Sequence, residues 1–283
     1  MALIWGSSFI LMKIGLKASD GSAVLSGVQV ACLRMIIAAI VLSPFAFQGI
    51  KKLKKNDWPW LMVVGLCGSG IPAFLFAISQ QYIDSGLAGI LNALTPVFTL
   101  LIGLAFFKKT THTKQLLGMA IGFIGAAGII AMKGSSAENA GYALLIILAT
   151  VLYGVSVNTV SSKLQHVPAP VISSVSLSFA AFPCSLIFLA TPYDVIIEHP
   201  EGLRSFFAIA TLAVFGTGFA NILFFKLTQK SGAVMAASVT YLIPLVAVGW
   251  GAIMGESIGF YQVIFGAILL GGVYLTHQKK IKR

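Results

Sequence analysis

The chain has 283 residues, of which 58% are hydrophobic and 10% charged, against about 25% charged in an ordinary soluble domain. A mean hydropathy of +0.94 leaves too little polar side chain to coat a soluble globule. Three cysteines cannot build a disulfide framework, and a disordered chain needs the opposite composition. The formal charge of +11 sits in short clusters between apolar runs, with no recognition motif beside them, so no nucleic-acid partner is expected. The composition is that of an integral membrane protein, whose partners are the lipid bilayer and a small-molecule solute.

A helix crosses the hydrocarbon core in about 20 residues. Ten such stretches run along the chain, at 2–17, 23–47, 59–81, 86–107, 115–133, 140–162, 169–191, 204–226, 232–255 and 259–277. The expected fold class is all-α, with ten transmembrane helices. The connections are short and carry turn chemistry, as in Ser19-Asp20-Gly21, Asp84-Ser85-Gly86, Gly134-Ser135-Ser136 and Pro168-Ala169-Pro170. The first stretch is short and lacks the charged flank and cleavage site of a signal peptide; residues upstream of Met1 are expected. Cys32, Cys67 and Cys184 lie in apolar runs, where a free thiol behaves as a small hydrophobe.

Basic residues set the orientation. With both termini in the cytoplasm, 14 of the 19 basic residues fall on the cytoplasmic side, among them Lys51, Lys52, Lys54 and Lys55. Only Lys17, Lys133 and Arg204 fall outside, while Lys13 and Arg34 remain within spans. The expected location is the cell membrane, crossed many times.

The chain also resembles itself. Trp5-Gly6-Ser7 and Tyr153-Gly154-Val155 lie 148 residues apart, as do Leu94-Thr95-Pro96-Val97 and Leu242-Ile243-Pro244-Leu245; Asp84-Ser85-Gly86 and Lys230-Ser231-Gly232 lie 146 apart. Two halves, 1–135 and 136–283, each with an odd number of spans, must lie in opposite orientation. Their loops carry opposite charge, with Lys51 to Lys55 matching Asp194, Glu198 and Glu201. Inverted repeats of this kind build alternating-access transporters.

The opening Ala2-Leu3-Ile4-Trp5-Gly6-Ser7-Ser8-Phe9, with Lys13 eight positions after the tryptophan, resembles the first helix of EamA-like proteins of the drug/metabolite transporter superfamily. Leu33-Arg34, Ala93-Leu94-Thr95-Pro96-Val97-Phe98 and Thr240-Tyr241-Leu242-Ile243-Pro244 followed by Gly255-Glu256 are similar to its other landmarks. The resemblance implies two inverted five-helix halves around a central cavity, and transport, often export, of amino acids or other small metabolites. One departure is Phe107-Lys108, where the first repeat often ends its fourth span in Gly-Glu.

The polar residues inside spans are the candidates for function. Arg34 lies too deep to snorkel easily, so it faces the interior. It is either a cavity cation for a carboxylate or phosphate, or a tie satisfied by helix-end carbonyls. Lys13 reads as a residue snorkelling to the outer surface, with a site role kept open by its placement after Trp5. Asn92, Thr95 and Thr99 share one helical face around Pro96, and the matching face in the second half carries Thr240, Tyr241 and Pro244. Proline frees a carbonyl and bends a helix, which is tolerated at membrane depth only against protein or a water-lined cavity. Pro96 and Pro244 are the expected bending points. Asn221, Tyr153 and Trp5 join the expected lining, against the alternative of simple interhelical hydrogen bonds. Gly118, Gly122, Gly125 and Gly128 give a close-packing face, within the chain or in a homodimer; monomer and dimer stay open.

No phosphate-binding loop, no metal-spaced cluster and no intramembrane nucleophile–base set occurs. No cofactor, metal or enzymatic activity is expected. The reading is an alternating-access exporter of small polar metabolites such as amino acids. The alternatives are a carrier for drugs or nucleotide-type metabolites, an importer, or an intramembrane enzyme or receptor. Because the deep ionisable residues are basic, neutral, zwitterionic or anionic solutes are expected over lipophilic cations, without obligatory proton exchange.

Overall fold

The computed structural model describes residues 1–108, 113–132, 137–255 and 259–277. The Gly134-Ser135-Ser136 turn, Lys133, Glu256 and the basic cluster from Lys279 to Arg283 lie outside the described residues. Among the described residues we number ten long helices: α1 (Ala2–Leu16), α2 (Gly27–Gly49), α3 (Lys55–Ser79), α4 (Ser85–Phe106), α5 (Thr113–Met132), α6 (Ala137–Lys163), α7 (Ala169–Leu189), α8 (Gly202–Ser231), α9 (Ala233–Ile253) and α10 (Phe260–His277). Seven helical stretches, in α2, α3, α4, α6, α7, α8 and α9, are long and apolar enough to cross a membrane, and α1 is a shorter apolar helix. Bulky apolar side chains such as Phe47, Phe106, Phe182 and Ile253 stand exposed on the outer surface, which is stable only against lipid or another apolar surface.

Local chemistry sets the boundaries. Ser26 and Gln29 form a reciprocal cap at the start of α2: Gln29 N–H donates to Ser26 Oγ and Ser26 N–H to Gln29 Oε1. The Ser19-Asp20-Gly21 turn forms as its sequence dictates. Gly21 takes φ +87° and Asp20 Oδ1 accepts from the backbone and hydroxyl of Ser22.

Four helices are irregular, in two matched sets. α3 carries a π-helical segment at Leu66–Gly70 and α8 one at Leu212–Phe219; they start 146 residues apart. α4 is interrupted at Ala93 and Leu94, and α9 turns 3-10 over Ser238–Leu242, each just before the proline at the second position of a new helical segment. Proline has no N–H to donate, so helical bonding stops before it and restarts with it.

Helix contacts recur with the two halves exchanged. α1 packs on α8 and α9, while α6 packs on α3 and α4; α2 packs on α8, and α7 on α3. Three further pairs, α2 with α7, α4 with α9 and α5 with α10, join a helix of one half to its counterpart in the other. Glycines set the close crossings. A Cβ on Gly6 would lie 2.4 Å from Val246 Cβ, and one on Gly154 would lie 3.0 Å from the Phe98 backbone; both glycines and both neighbours are 148 residues apart. The glycine face of α5 lies against α10 in antiparallel register, Gly128 on Phe265, Gly125 on Leu269 and Gly122 on Gly272.

Ties at the helix ends complete the frame. Glu201 accepts from the backbone N–H and hydroxyl of Ser19 and pairs with Arg204, joining the end of α1 to the start of α8. Asp57, buried at the start of α3, accepts from Lys54 N–H and lies 3.0 Å from His166 Nε2, just beyond α6.

Candidate functional site

Helices α1, α2, α3, α4, α6, α8 and α9 surround a cavity with about 780 Å³ of space free of atoms, part of it open to the outside. On α1, Trp5, Ser8, Phe9 and Met12 face it, the i, i+3, i+4, i+7 stripe of a single helical face. The other walls follow the same plan: Trp5 and Tyr153, Ser8 and Ser156, Phe9 and Val157, Phe76 and Phe224, Asn92 and Thr240, and Thr95 and Ile243 all line it, each pair 148 residues apart. The two halves contribute equivalent positions to one space.

Side-chain contacts repeat with the same offset. Trp5 meets Phe224 edge-on with ring centroids 4.9 Å apart, and Tyr153 stacks on Phe76 at 6.1 Å. A Cβ on Gly68 would lie 2.3 Å from Ser156 Oγ, and one on Gly216 would lie 2.8 Å from Ser8 Oγ. Only glycine therefore lets the π segments approach the serines of α6 and α1. A π turn disrupts the usual pairing of backbone groups; the Gly216 carbonyl accepts a hydrogen bond from Trp5 Nε1 at 2.9 Å.

Polar groups break the equivalence. Arg34 Nε donates to Thr217 Oγ1 at 2.6 Å, and Asn221 Nδ2 donates to Ser69 Oγ at 3.1 Å. Thr217 and Ser69 belong to the two π segments and lie 148 residues apart, but one holds a guanidinium and the other an amide. Arg34 thus binds a hydroxyl of α8 rather than a helix-end carbonyl. It is the charged member of the lining, and among the described residues no carboxylate lines the cavity or pairs with Arg34. Ser156 is 1% exposed and its Oγ has no hydrogen-bond partner. Ser8, its counterpart, donates to Ile4 O.

Of the residues singled out in the sequence, Trp5, Arg34, Asn92, Thr95, Tyr153, Asn221 and Thr240 share this wall. Three do not. Thr99 donates its hydroxyl to Thr95 O at 2.8 Å within α4, Tyr241 donates its hydroxyl to Val273 O at 2.8 Å, tying α9 to α10, and Lys13 sits half-buried on α1 outside the lining. Pro96 and Pro244 are buried at the helix interruptions. Ser8, Ser69, Ser156, Phe76 and Phe224 were not foreseen, although the offset of 148 would have found Ser156 from Ser8 and Phe224 from Phe76. Thr217 carried no signal in the sequence.

An apolar exterior around a cavity with polar groups defines a multi-pass membrane protein with an internal site for a small solute. The description of the EamA-like transporter family matches residues 1–131 and again residues 140–277. The chain belongs to this family and is a membrane transporter. It is 25% identical to a "Probable terminal-alkyne amino-acid exporter" of Streptantibioticus cattleyicolor, over 99% of this chain and 91% of that protein. It is also 25% identical to an "Uncharacterized inner membrane transporter YedA" of Escherichia coli K12, with the same coverage. A protein of known crystal structure shares the fold with a TM-score of 0.65 at 18% identity, over 97% of this chain and 96% of that one.

Proposed function

We propose that the protein exports small polar metabolites, amino acids among them, by alternating access through the cavity between its halves. The halves are the segments 1–135 and 136–283, five spans each in inverted orientation, with both termini in the cytoplasm. One observation carries the reading: equivalent residues of the two halves line the same cavity, so exchanging the conformations of the halves would open one site alternately to each side. The interrupted helices α4 and α9 on that wall support it further, because discontinuous helices typify transporter sites. In this reading Arg34 is the counter-charge for a solute carboxylate. Asn92, Thr95, Tyr153, Asn221 and Thr240 supply hydrogen bonds, Trp5 supplies apolar area, and Pro96 and Pro244 are bending points. Lys13 and Tyr241 stand outside the set. The name of the Streptantibioticus relative supports amino acids as substrates and export as the direction.

The test is counterflow in proteoliposomes with labelled amino acids, organic acids and nucleosides, together with cysteine labelling of loops. We expect saturable counterflow of a carboxylate-bearing solute, the 51–55 loop cytoplasmic and the 194–201 loop outside. An external location for the 51–55 loop would sink the inverted arrangement.

A further inference from the structure

We infer that the cavity takes an organic monoanion with a bulky apolar body, an aromatic monocarboxylate by class, in preference to the zwitterionic amino acid of the same size. The inference rests on the transport reading above and narrows its substrate.

Charge is the first ground. Arg34 stays protonated in proteins, and no carboxylate among the described residues lines the cavity or pairs with it. A lone charge held away from water is costly until something neutralises it. A monocarboxylate brings the site to zero. A zwitterion adds an ammonium with its carboxylate and leaves the site at one positive charge, and an amine alone raises it to two.

Hydrogen bonding is the second ground. Thr217 occupies the Nε of Arg34, which leaves the outer amino groups of the guanidinium for a carboxylate, the geometry such a fork favours. Ser156, buried on the wall with an unpartnered Oγ, supplies a further donor for a solute oxygen. For an ammonium the wall offers only neutral acceptors.

Shape is the third ground. Trp5, Phe76, Tyr153 and Phe224 come to the wall from four different helices, with Met12 and Phe225 beside them. They give the uncharged part of the solute an apolar surround on several sides.

A matched series on the wild-type protein tests this: 3-phenylpropanoate, L-phenylalanine and 2-phenylethylamine share the ring and chain and differ in charge. Calorimetric binding at pH 7 should place the acid at least tenfold tighter than the amino acid, and the amine weakest. Acetate should bind at least tenfold more weakly than 3-phenylpropanoate. Arg34→Lys should keep the order, and Arg34→Gln, where it purifies folded, should bring the acid and amino acid within threefold of each other. Phenylalanine binding as tightly as the acid overturns the charge argument, and acetate matching 3-phenylpropanoate overturns the apolar body. Counterflow of labelled phenylalanine that 3-phenylpropanoate leaves unaffected overturns the inference while the transport reading stands. Absence of counterflow with every amino acid, organic acid and nucleoside overturns both.

Discussion

Thr217→Val replaces the hydroxyl that holds Arg34 with a methyl group of nearly the same volume. Thr217 is 1% exposed and its Oγ accepts from Arg34 Nε at 2.6 Å, so no water replaces the lost acceptor. Interhelical hydrogen bonds in membranes average about 0.6 kcal/mol, and a charged donor roughly doubles that. Stranding part of the desolvation cost of a charged donor brings the loss to about 1–2 kcal/mol, or roughly 5- to 30-fold in affinity. Because the bond orients the guanidinium, the loss should appear mainly in the KM for a carboxylate solute. Thr217→Ser keeps the hydroxyl and should stay within threefold of wild type. The assay is counterflow kinetics of both variants in proteoliposomes at matched protein density. A KM for Thr217→Val within twofold of wild type refutes the reasoning. Equal impairment of the serine variant would mean that the methyl group, not the hydroxyl, matters.

Two further predictions concern stability and pH. Gly65→Ala should destabilise the detergent-solubilised protein by about 1–3 kcal/mol, because its Cβ would lie 2.0 Å from the Ser176 carbonyl oxygen where α3 crosses α7. Gly249→Ala, in a helix with nothing within 4 Å, should gain about 0.5–1 kcal/mol; thermal midpoints shifting in the same direction for both would contradict the packing argument. The Glu201 carboxyl is held below the ordinary glutamate value, first by the backbone N–H of Ser19 and then by Arg204. A depressed carboxyl adds stability above its unfolded value of about 4.3, and that stability is lost as pH falls through the folded value. The stability gap between wild type and Glu201→Gln should therefore be present at pH 7 and close on acidification below the ordinary glutamate value. A gap that persists at acid pH would assign it to packing.

Much of the frame was legible because lipid imposes long apolar runs. The stretch expected at 169–191 is the helix Ala169–Leu189, and the glycines of α5 announced the close crossing they make with α10. Where hydropathy misled, the cause is physical. The stretch 204–226 stops at a lysine, but α8 runs from Gly202 to Ser231, because a helix continues past the apolar layer as long as its backbone bonds close. The π segments were invisible, because an extra residue per turn leaves no compositional mark. The sequence offers Thr240 and Tyr241 alike, but the Tyr241 hydroxyl reaches Val273 O on α10 while Thr240, beside it in the 3-10 turn at Ser238–Leu242, lines the cavity. Thr217 reads like any threonine in an apolar run. Its role arises only when α2 packs on α8, a tertiary fact with no local signature.

The central claim is that one site, walled by both halves, is reached from both sides of the membrane. Asn92 and Thr240, 148 residues apart and both on the wall, report on it directly. Each would be replaced by cysteine in a chain whose Cys32, Cys67 and Cys184 are changed to alanine. A membrane-impermeant thiol reagent would then be applied to right-side-out and to inside-out vesicles. Alternating access predicts that both Asn92→Cys and Thr240→Cys react from either side, and that a saturating transported solute slows the reaction on both. Labelling from one side only, whatever the direction of the solute gradient, would contradict it.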